Sequence, residues 1–183
     1  MRVVSGKAKG RKLLSVQGTT TRPITDRVKT ALFDTIRPTL PGARVLDLFA
    51  GTGAVGIEAI SQGALHCTFI DISREAVRTI LENLSRAGLS EQADVRQMDA
   101  FRFIKNTDLA FDLIYIAPPQ YKNLWLEALH AIAERPERLS KKGRIIVQID
   151  PTEREEPELR FFHKFEERKY GSTLLMFYSN CIS

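Results

Sequence analysis

A glycine-rich loop, Asp47-Leu-Phe-Ala-Gly-Thr-Gly-Ala-Val-Gly56, is the first candidate site, with glycines at positions 51, 53 and 56. This spacing lets the backbone turn tightly and approach a ligand, while amides at the start of the next helix offer free donors. Asp71 follows Gly51 by 20 residues and ends an apolar run, where its carboxylate can accept hydrogen bonds from both hydroxyls of a ribose. The pattern predicts a nucleoside-containing cofactor; the alternative is a tight turn that binds no ligand.

Two classes of cofactor fit such a loop, and Asp47 distinguishes between them. A dinucleotide would place its pyrophosphate at the helix start, where a buried carboxylate would repel it. S-adenosylmethionine has no phosphate, and the same carboxylate can attract its ammonium group, so this donor is favoured. Asp99 can accept a hydrogen bond from an adenine amino group, cap a helix that begins at Ala100, or do both. The predicted cofactor contacts are Thr25, Asp47, Phe49, Gly51, Gly53, Asp71, Ile72, Asp99 and Ala100.

A second candidate loop, Ile116-Ala-Pro-Pro-Gln-Tyr-Lys122, follows a strongly apolar run. Its two prolines fix φ and remove two amide donors, so the loop is stiff. A stiff carbonyl beside a methyl donor can accept a hydrogen bond from an amino group, and Tyr121 offers a flat face for a flipped base. The alternative is a rigid turn that only ends a strand. The predicted catalytic residues are Ala117, Pro118, Pro119, Gln120 and Tyr121.

Positive charge is concentrated near the amino terminus. The formal net charge is +5, and residues 1–44 hold ten of the 27 Lys and Arg residues but only two acidic residues. A basic arm on a nearly neutral body is expected for a polyphosphate partner such as RNA, the alternative being a solvated surface. The predicted RNA contacts are Lys7, Lys9, Arg11, Lys12, Arg22 and Arg27.

Strands and helices alternate behind this arm. Apolar runs predict strands at 44–49, 66–71, 93–98, 111–116 and 143–149. Periodic segments predict helices at 26–36, with Thr25 as a cap, and at 54–62, 74–87 and 123–134. Hairpins are predicted from 161–169 with 173–178, and from 3–4 with 12–14. The alternation predicts an α/β fold with a mostly parallel sheet, helices on both faces, an antiparallel final strand, and ligands at the carboxyl ends of the strands.

Four segments of the chain resemble the RsmD-type bacterial 16S ribosomal RNA guanine-N2 methyltransferases. They are Arg2-Val-Val-Ser-Gly-Lys with Gly10-Arg-Lys-Leu, Arg22-Pro-Ile-Thr-Asp-Arg-Val28, Leu46 to Ala59, and Ile114 to Pro119. The first two are more specific than the glycine loop, which many methyltransferases share. The resemblance covers nearly the full length. It implies the Rossmann-like, seven-stranded class I methyltransferase sheet, S-adenosylmethionine as donor, and a guanine of ribosomal RNA or of the small ribosomal subunit as substrate.

One loop departs from the pattern of that family. The family's fourth-strand loop reads Asp or Asn, then Pro-Pro and an aromatic residue, whereas this chain has Ala117 and Gln120, with Tyr121 one place late. Ala117 cannot accept a hydrogen bond from the target amino group. Either Gln120 and the Pro118 carbonyl take over, or the enzyme is slow, altered in substrate or inactive. The alternatives are therefore an RNA-binding protein of this fold with weak or lost catalysis, a DNA methyltransferase, and a nicotinamide-dependent oxidoreductase.

Length and composition limit the remaining possibilities. A chain of 183 residues fits one domain, here an arm and helix over 1–43 and a core over 44–183. Cys67, Cys181 and the three scattered histidines make no metal-ligand spacing, so no metal is expected. No apolar run approaches the ~20 residues of a membrane span, and no signal peptide is evident. We expect a cytoplasmic monomer.

Overall fold

The computed structural model describes residues 1–16 and 24–181 of the chain. Within those ranges the strands are β1 (Arg44–Asp47), β2 (His66–Asp71), β3 (Ala93–Gln97), β4 (Phe111–Ile116), β5 (Leu139–Ile149), β6 (Phe162–Tyr170) and β7 (Thr173–Asn180). The α-helices of the same ranges are α1 (Asp26–Ile36), α2 (Ala54–Ser61), α3 (Arg74–Ala87), α4 (Ala100–Asn106) and α5 (Leu124–Ala133). In this part of the chain, no helix is long and apolar enough to cross a bilayer.

The strands form one sheet in the order β3-β2-β1-β4-β5-β7-β6. Strands β1 to β5 pair in parallel, because helices carry the chain back between them, while β7 runs antiparallel to both β5 and β6. The strand order reverses between β1 and β4, so the loops that follow these strands diverge and leave a crevice at their carboxyl ends. The expected α/β fold, mostly parallel with antiparallel pairing at its carboxyl-terminal end, is confirmed.

Helices cover both faces of the sheet. Helices α1, α2 and α3 pack on one face around Phe33, Ile57 and Phe69, while α4 and α5 pack on the other around Phe103 and Trp125. Five of the six residues of β4 are buried, as expected for a parallel strand covered on both sides. The sheet is therefore a rigid platform whose exposed functional positions lie at the strand ends.

The observed boundaries agree with the predicted ones to within two residues for most elements. Thr25 caps α1, its hydroxyl accepting from the Val28 amide at 3.3 Å. Strand β5 begins at Leu139, four residues before the predicted start, and its pairing with β4 shifts register between Phe111 and Leu113. The hairpin predicted from 3–4 and 12–14 forms one β-bridge, between Arg2 and Lys12, and the Val3 amide donates to the Arg11 carbonyl at 3.0 Å beside it. Further contacts hold this segment to the helices.

Those contacts come from buried polar side chains on α2 and α3, which hold residues 1–16, the arm. Glu58 accepts hydrogen bonds from the amides of Val4 (2.9 Å) and Ser5 (2.8 Å), and the Ser61 hydroxyl accepts from the Ala8 amide at 2.9 Å. A Cβ on Gly6, at φ +79°, would lie 1.9 Å from the Ser61 carbonyl oxygen, so this close approach needs glycine. The arm is thus docked through its backbone and through the buried side chains of Val3, Ala8 and Leu13.

A buried ion pair lies beneath the arm. The Lys29 ammonium, on α1, is 3.1 Å from a Glu58 carboxylate oxygen, and neither side chain is exposed. Lys29 also donates to the Arg2 carbonyl oxygen. Since Glu58 holds two amides of the arm as well, one polar cluster joins α1, α2 and the arm.

Candidate functional site

A cavity of about 730 Å³ opens at the carboxyl ends of β1, β2, β4 and β5. The glycine loop lines one side and the Pro118-Pro119 loop another; residues 170–173, at the turn between β6 and β7, complete the wall. Ser15 and Val16 of the arm and Ile24 and Thr25 before α1 line it as well. Loops distant in sequence thus converge on one site, at the edge of the sheet that the strand order predicts.

The cavity gathers most, but not all, of the predicted site residues. Those that line it are Thr25, Asp47, Phe49, Gly51, Asp71, Ile72, Ala117, Pro118, Pro119 and Gln120. Within the described ranges, Gly53, Asp99, Ala100 and Tyr121 are not part of its wall. Gly53 precedes α2 at φ +76°, and Asp99 caps α4 by accepting from the Arg102 amide at 2.8 Å. The structure thus gives these two a local structural role.

Asp71 connects the glycine loop to the turn after β2. One carboxylate oxygen accepts from the Gly51 amide at 2.8 Å, and the other accepts from the Ser73 amide at 2.9 Å. Gly51 has φ +55°, so the loop turns in the left-handed region at the point where Asp71 holds it. Each carboxylate oxygen keeps capacity for a second hydrogen bond toward the cavity.

Asp47 is a buried carboxyl group with one oxygen still available. Its Oδ2 accepts from the Gly56 amide at 3.1 Å, while Oδ1 has no hydrogen-bond partner among the described residues, although the residue is only 1% exposed. Burial raises the pKa of Asp47 to about 8, with a smaller rise from the charge of Asp71. The free protein therefore carries Asp47 largely protonated at neutral pH, and a cation in the cavity would ionise it.

Two side chains that the sequence analysis did not select, Tyr115 and Gln148, line the cavity beside Asp47. Tyr115 on β4 is directly paired with Asp47 on β1, and its hydroxyl donates to the Gln148 Oε1 at 2.6 Å. Burial and the charge of Asp47 raise the pKa of Tyr115, so its hydroxyl stays protonated. The available signal was a glutamine within the apolar run Ile145–Ile149 of β5.

The loop after β4 divides into a part inside the cavity and a part outside it. Ala117 to Gln120 line the wall, and Pro118 and Pro119 contribute carbonyl acceptors without amide donors. Tyr121, at φ +63°, is 69% exposed; its amide donates to Glu153 at 2.8 Å and its hydroxyl to Asp150 at 3.4 Å. The charge of Asp150 raises the pKa of Tyr121. A base stacked on Tyr121, as the sequence analysis predicts, would therefore lie at the protein surface, outside the cavity wall.

The arm contributes both to the cavity and to a basic surface. Asn83 on α3 accepts from the Leu14 amide at 2.7 Å and donates to the Thr52 carbonyl at 2.9 Å, which ties the arm to the glycine loop. Lys9 and Arg27 line a surface concavity of about 370 Å³, and Arg11 and Lys12 are exposed. Lys7 instead contacts Gln92. Arg22 lies outside the described residues.

Comparisons with known proteins agree with the family resemblance found in the sequence. Residues 1–179 match the family described as conserved hypothetical protein 95. A candidate rRNA methyltransferase, YlbH of Bacillus subtilis, is 42% identical over 82% of this chain and 83% of its own length. Ribosomal RNA small subunit methyltransferase D of Haemophilus influenzae is 33% identical over 73% of this chain and 71% of its own.

Solved structures share the fold. The candidate methyltransferase yhhF of Escherichia coli superposes with a TM-score of 0.85 at 28% identity, covering 98% of this chain and 97% of that one. A more distant candidate methyltransferase was solved in complex with SAH, with a TM-score of 0.62 at 17% identity, covering 80% of this chain and 48% of its own. This last likeness concerns the fold alone.

Proposed function

The chain belongs to the conserved hypothetical protein 95 family, and we propose that it transfers a methyl group from S-adenosylmethionine to the exocyclic N2 of a guanine in small-subunit ribosomal RNA. The names of its relatives support the reaction class and the RNA. The observation that supports this donor is that two carboxyl groups, Asp47 and Asp71, line one cavity and both accept from amides of the glycine loop.

The two carboxyl groups suit the two polar ends of this donor. Asp71 already orients the glycine loop and can accept from the ribose hydroxyls with its remaining lone pairs. The unpartnered Oδ1 of Asp47 suits an ammonium group, because a buried carboxylate gains most from a cation that also satisfies it. Ile72, 69% exposed at the cavity, offers an apolar face for adenine.

The protein contributes position and a fitting electrostatic environment to the reaction. The donor, when bound, supplies an electrophilic methyl group on a sulfonium. The N2 lone pair forms the new N–C bond as the C–S bond breaks, and the amino proton leaves to solvent. Guanine N2 is a weak nucleophile, since its lone pair is delocalised into the ring. A hydrogen bond from this amino group to the Pro118 carbonyl, supported by Gln120, favours the pyramidal nitrogen and holds it in line.

The decisive experiment is to map N2-methylated guanines in ribosomal RNA from cells with and without the gene. We expect one methylated guanine to disappear with the gene and to return with purified protein and labelled donor. Calorimetry should show binding of S-adenosylmethionine and none of NAD. Donor binding without any transfer to RNA would support the alternative, a protein of this fold that has lost catalysis through Ala117.

The proline loop can be tested separately. We expect Gln120→Ala to lower kcat about tenfold, because it removes one hydrogen bond, worth about 1.4 kcal/mol, made to the reacting amino group. Tyr121→Ala should mainly raise KM for RNA, since Tyr121 lies on the surface outside the cavity wall. Transfer of labelled methyl groups to unmodified ribosomal RNA measures both. Wild-type rates in both variants would contradict the assigned role of this loop.

Donor binding should release a proton from Asp47. With a pKa of about 8, Asp47 is mostly protonated at pH 7, and the ammonium of the donor should lower this pKa and displace close to one proton. Donor affinity should rise from pH 6 towards 8, above which the amino group of the donor loses its own charge. Titration calorimetry at pH 7 in phosphate and in Tris measures the release as a difference in enthalpy.

Asp47→Asn is the control for this proton release. It keeps an oxygen that can accept from the Gly56 amide but has no proton to lose, so its binding should be weaker and independent of the buffer. In the free protein, the raised pKa makes wild-type stability fall as pH rises from 3.8 to about 8, and Asp47→Asn should remove that loss. Equal enthalpies in the two buffers for wild type would contradict this role of Asp47.

A further inference from the structure

We propose that Gln148 reads the guanine: its amide oxygen accepts the N1 hydrogen, its amide nitrogen donates to O6, and Tyr115 fixes the amide in that orientation. This assignment rests on the proposed function and names the residue that selects the base. It gives a specificity role to a side chain near the carboxyl end of β5, outside both predicted loops.

The sheet register places Gln148 beside the loop that holds the reacting amino group. Ile116 on β4 is paired in parallel with Val147 on β5, so the next residue of each strand, Ala117 and Gln148, follow at the same level. Both line the cavity. Ala117 is the position at which the resembling family carries an acid or amide, so a side-chain amide is still present here, one strand further along the sheet.

Tyr115 determines which end of the amide faces the base. Its protonated hydroxyl donates to Gln148 Oε1 at 2.6 Å and to no other acceptor in the described part of the chain. Reversing the amide would therefore leave a buried hydroxyl donor unpaired, which is costly. The Gln148 Nε2 has no acceptor among the described residues and is available to a ligand, while Oε1 retains a second lone pair.

An amide locked in this orientation distinguishes guanine from other bases. Guanine presents a donor at N1 and an acceptor at O6, which match an amide oxygen and an amide nitrogen placed side by side. Adenine presents the reverse, an acceptor at N1 and an amino donor at C6, and would need the amide to turn over. A free glutamine could turn and accept both bases, so the Tyr115 hydroxyl is the source of the discrimination.

The base 2-aminopurine provides a sharp test, because it keeps the reactive amino group but lacks both O6 and the N1 hydrogen. Wild-type protein should methylate RNA with guanine at the mapped target about 30-fold faster, in kcat/KM, than RNA with 2-aminopurine there. Gln148→Ala should reduce this preference to about threefold or less, mainly by slowing the guanine substrate. Tyr115→Phe, which keeps the ring but frees the amide, should leave an intermediate preference, about fivefold to tenfold.

Equilibrium dialysis separates base reading from donor binding. The dissociation constant for S-adenosylmethionine should stay within about twofold of wild type in both variants, and the thermal midpoint identifies any variant that is misfolded. Asn106→Ala removes an exposed amide of α4 that lies outside the cavity wall, and it should keep the wild-type preference.

If wild type methylates guanine and Gln148→Ala keeps the 30-fold preference, the inference about Gln148 is overturned while the proposed function stands. If wild type methylates no guanine, the proposed function fails and the inference fails with it.

Discussion

The Asp71→Ala variant is expected to bind S-adenosylmethionine at least about 100-fold more weakly than wild type. The carboxylate would make two hydrogen bonds to ribose hydroxyls, each worth about 1.5–3 kcal/mol for a charged acceptor, and ~2.7 kcal/mol corresponds to a factor of 100. The variant also loses the hydrogen bond that the Gly51 amide donates to Asp71. The glycine loop is then no longer held in its left-handed turn. Equilibrium dialysis with labelled donor measures the change.

Two further variants separate these contributions. Asp71→Asn keeps one oxygen acceptor but loses the charge, so its affinity should fall between those of Asp71→Ala and wild type. Asp94→Ala removes a carboxylate of β3 that pairs with Arg96 and does not line the cavity, so it should bind donor like wild type. An Asp71→Ala affinity within threefold of wild type would remove the basis for placing the ribose at Asp71.

The Lys29→Met variant is expected to lose about 3 kcal/mol of unfolding free energy. Removing one partner of a buried ion pair typically costs about 3–5 kcal/mol, because it leaves the other charge uncompensated. We expect the lower end of that range, since Glu58 also accepts hydrogen bonds from the Val4 and Ser5 amides and from Gln62. Such a loss is a large part of the ~5–15 kcal/mol that stabilises a typical domain. Urea unfolding followed by circular dichroism measures it.

The matched control is an ion pair on the surface. Arg86 and Glu82 are 2.7 Å apart on the exposed side of α3, so Arg86→Met should cost at most about 0.5 kcal/mol. Adding Glu58→Gln to Lys29→Met removes the uncompensated charge, but the new amide nitrogen faces an N–H donor of the arm, so only part of the lost stability should return. If Lys29→Met costs no more than Arg86→Met, the buried pair does not stabilise the docked arm.

Most of the fold could be predicted from local patterns, because most helices and strands carry the apolar spacing and the end signals typical of their type. The α3 helix has an apolar stripe, a serine cap and a terminal glycine, and it spans the predicted residues. Strand β5 was predicted too short because Ser140 to Lys142 carry no apolar alternation, and they lie where the pairing with β4 shifts register between Leu139 and Arg144. The comparisons likewise confirm the family that the resembling segments indicated.

The candidate site was predicted in part, and the omissions share a physical cause. Glycine spacing and prolines are local signals, so the two loops were found. Glu58 and Asn83 are polar residues on helices, and the sequence alone predicts that such side chains face solvent. Both are in fact fully buried under the arm. Tyr115 and Gln148 are 33 residues apart in sequence, and their hydrogen bond depends on the register between β4 and β5. No local pattern in the sequence specifies that register. Long-range pairing of polar groups accounts for what was missed.

The arm is held by hydrogen bonds to its peptide groups and by three buried apolar side chains, Val3, Ala8 and Leu13. Glu58, Ser61 and Asn83 hold the peptide groups of the arm, and Arg2 and Lys7 reach Asp26 and Gln92. Lys9 and Arg11 make no side-chain hydrogen bond or ion pair among the described residues. Lys9 and Arg11 can therefore be exchanged without removing a contact that holds the arm. The charge of this exposed surface can thus change while the docked arm and the cavity keep their structure.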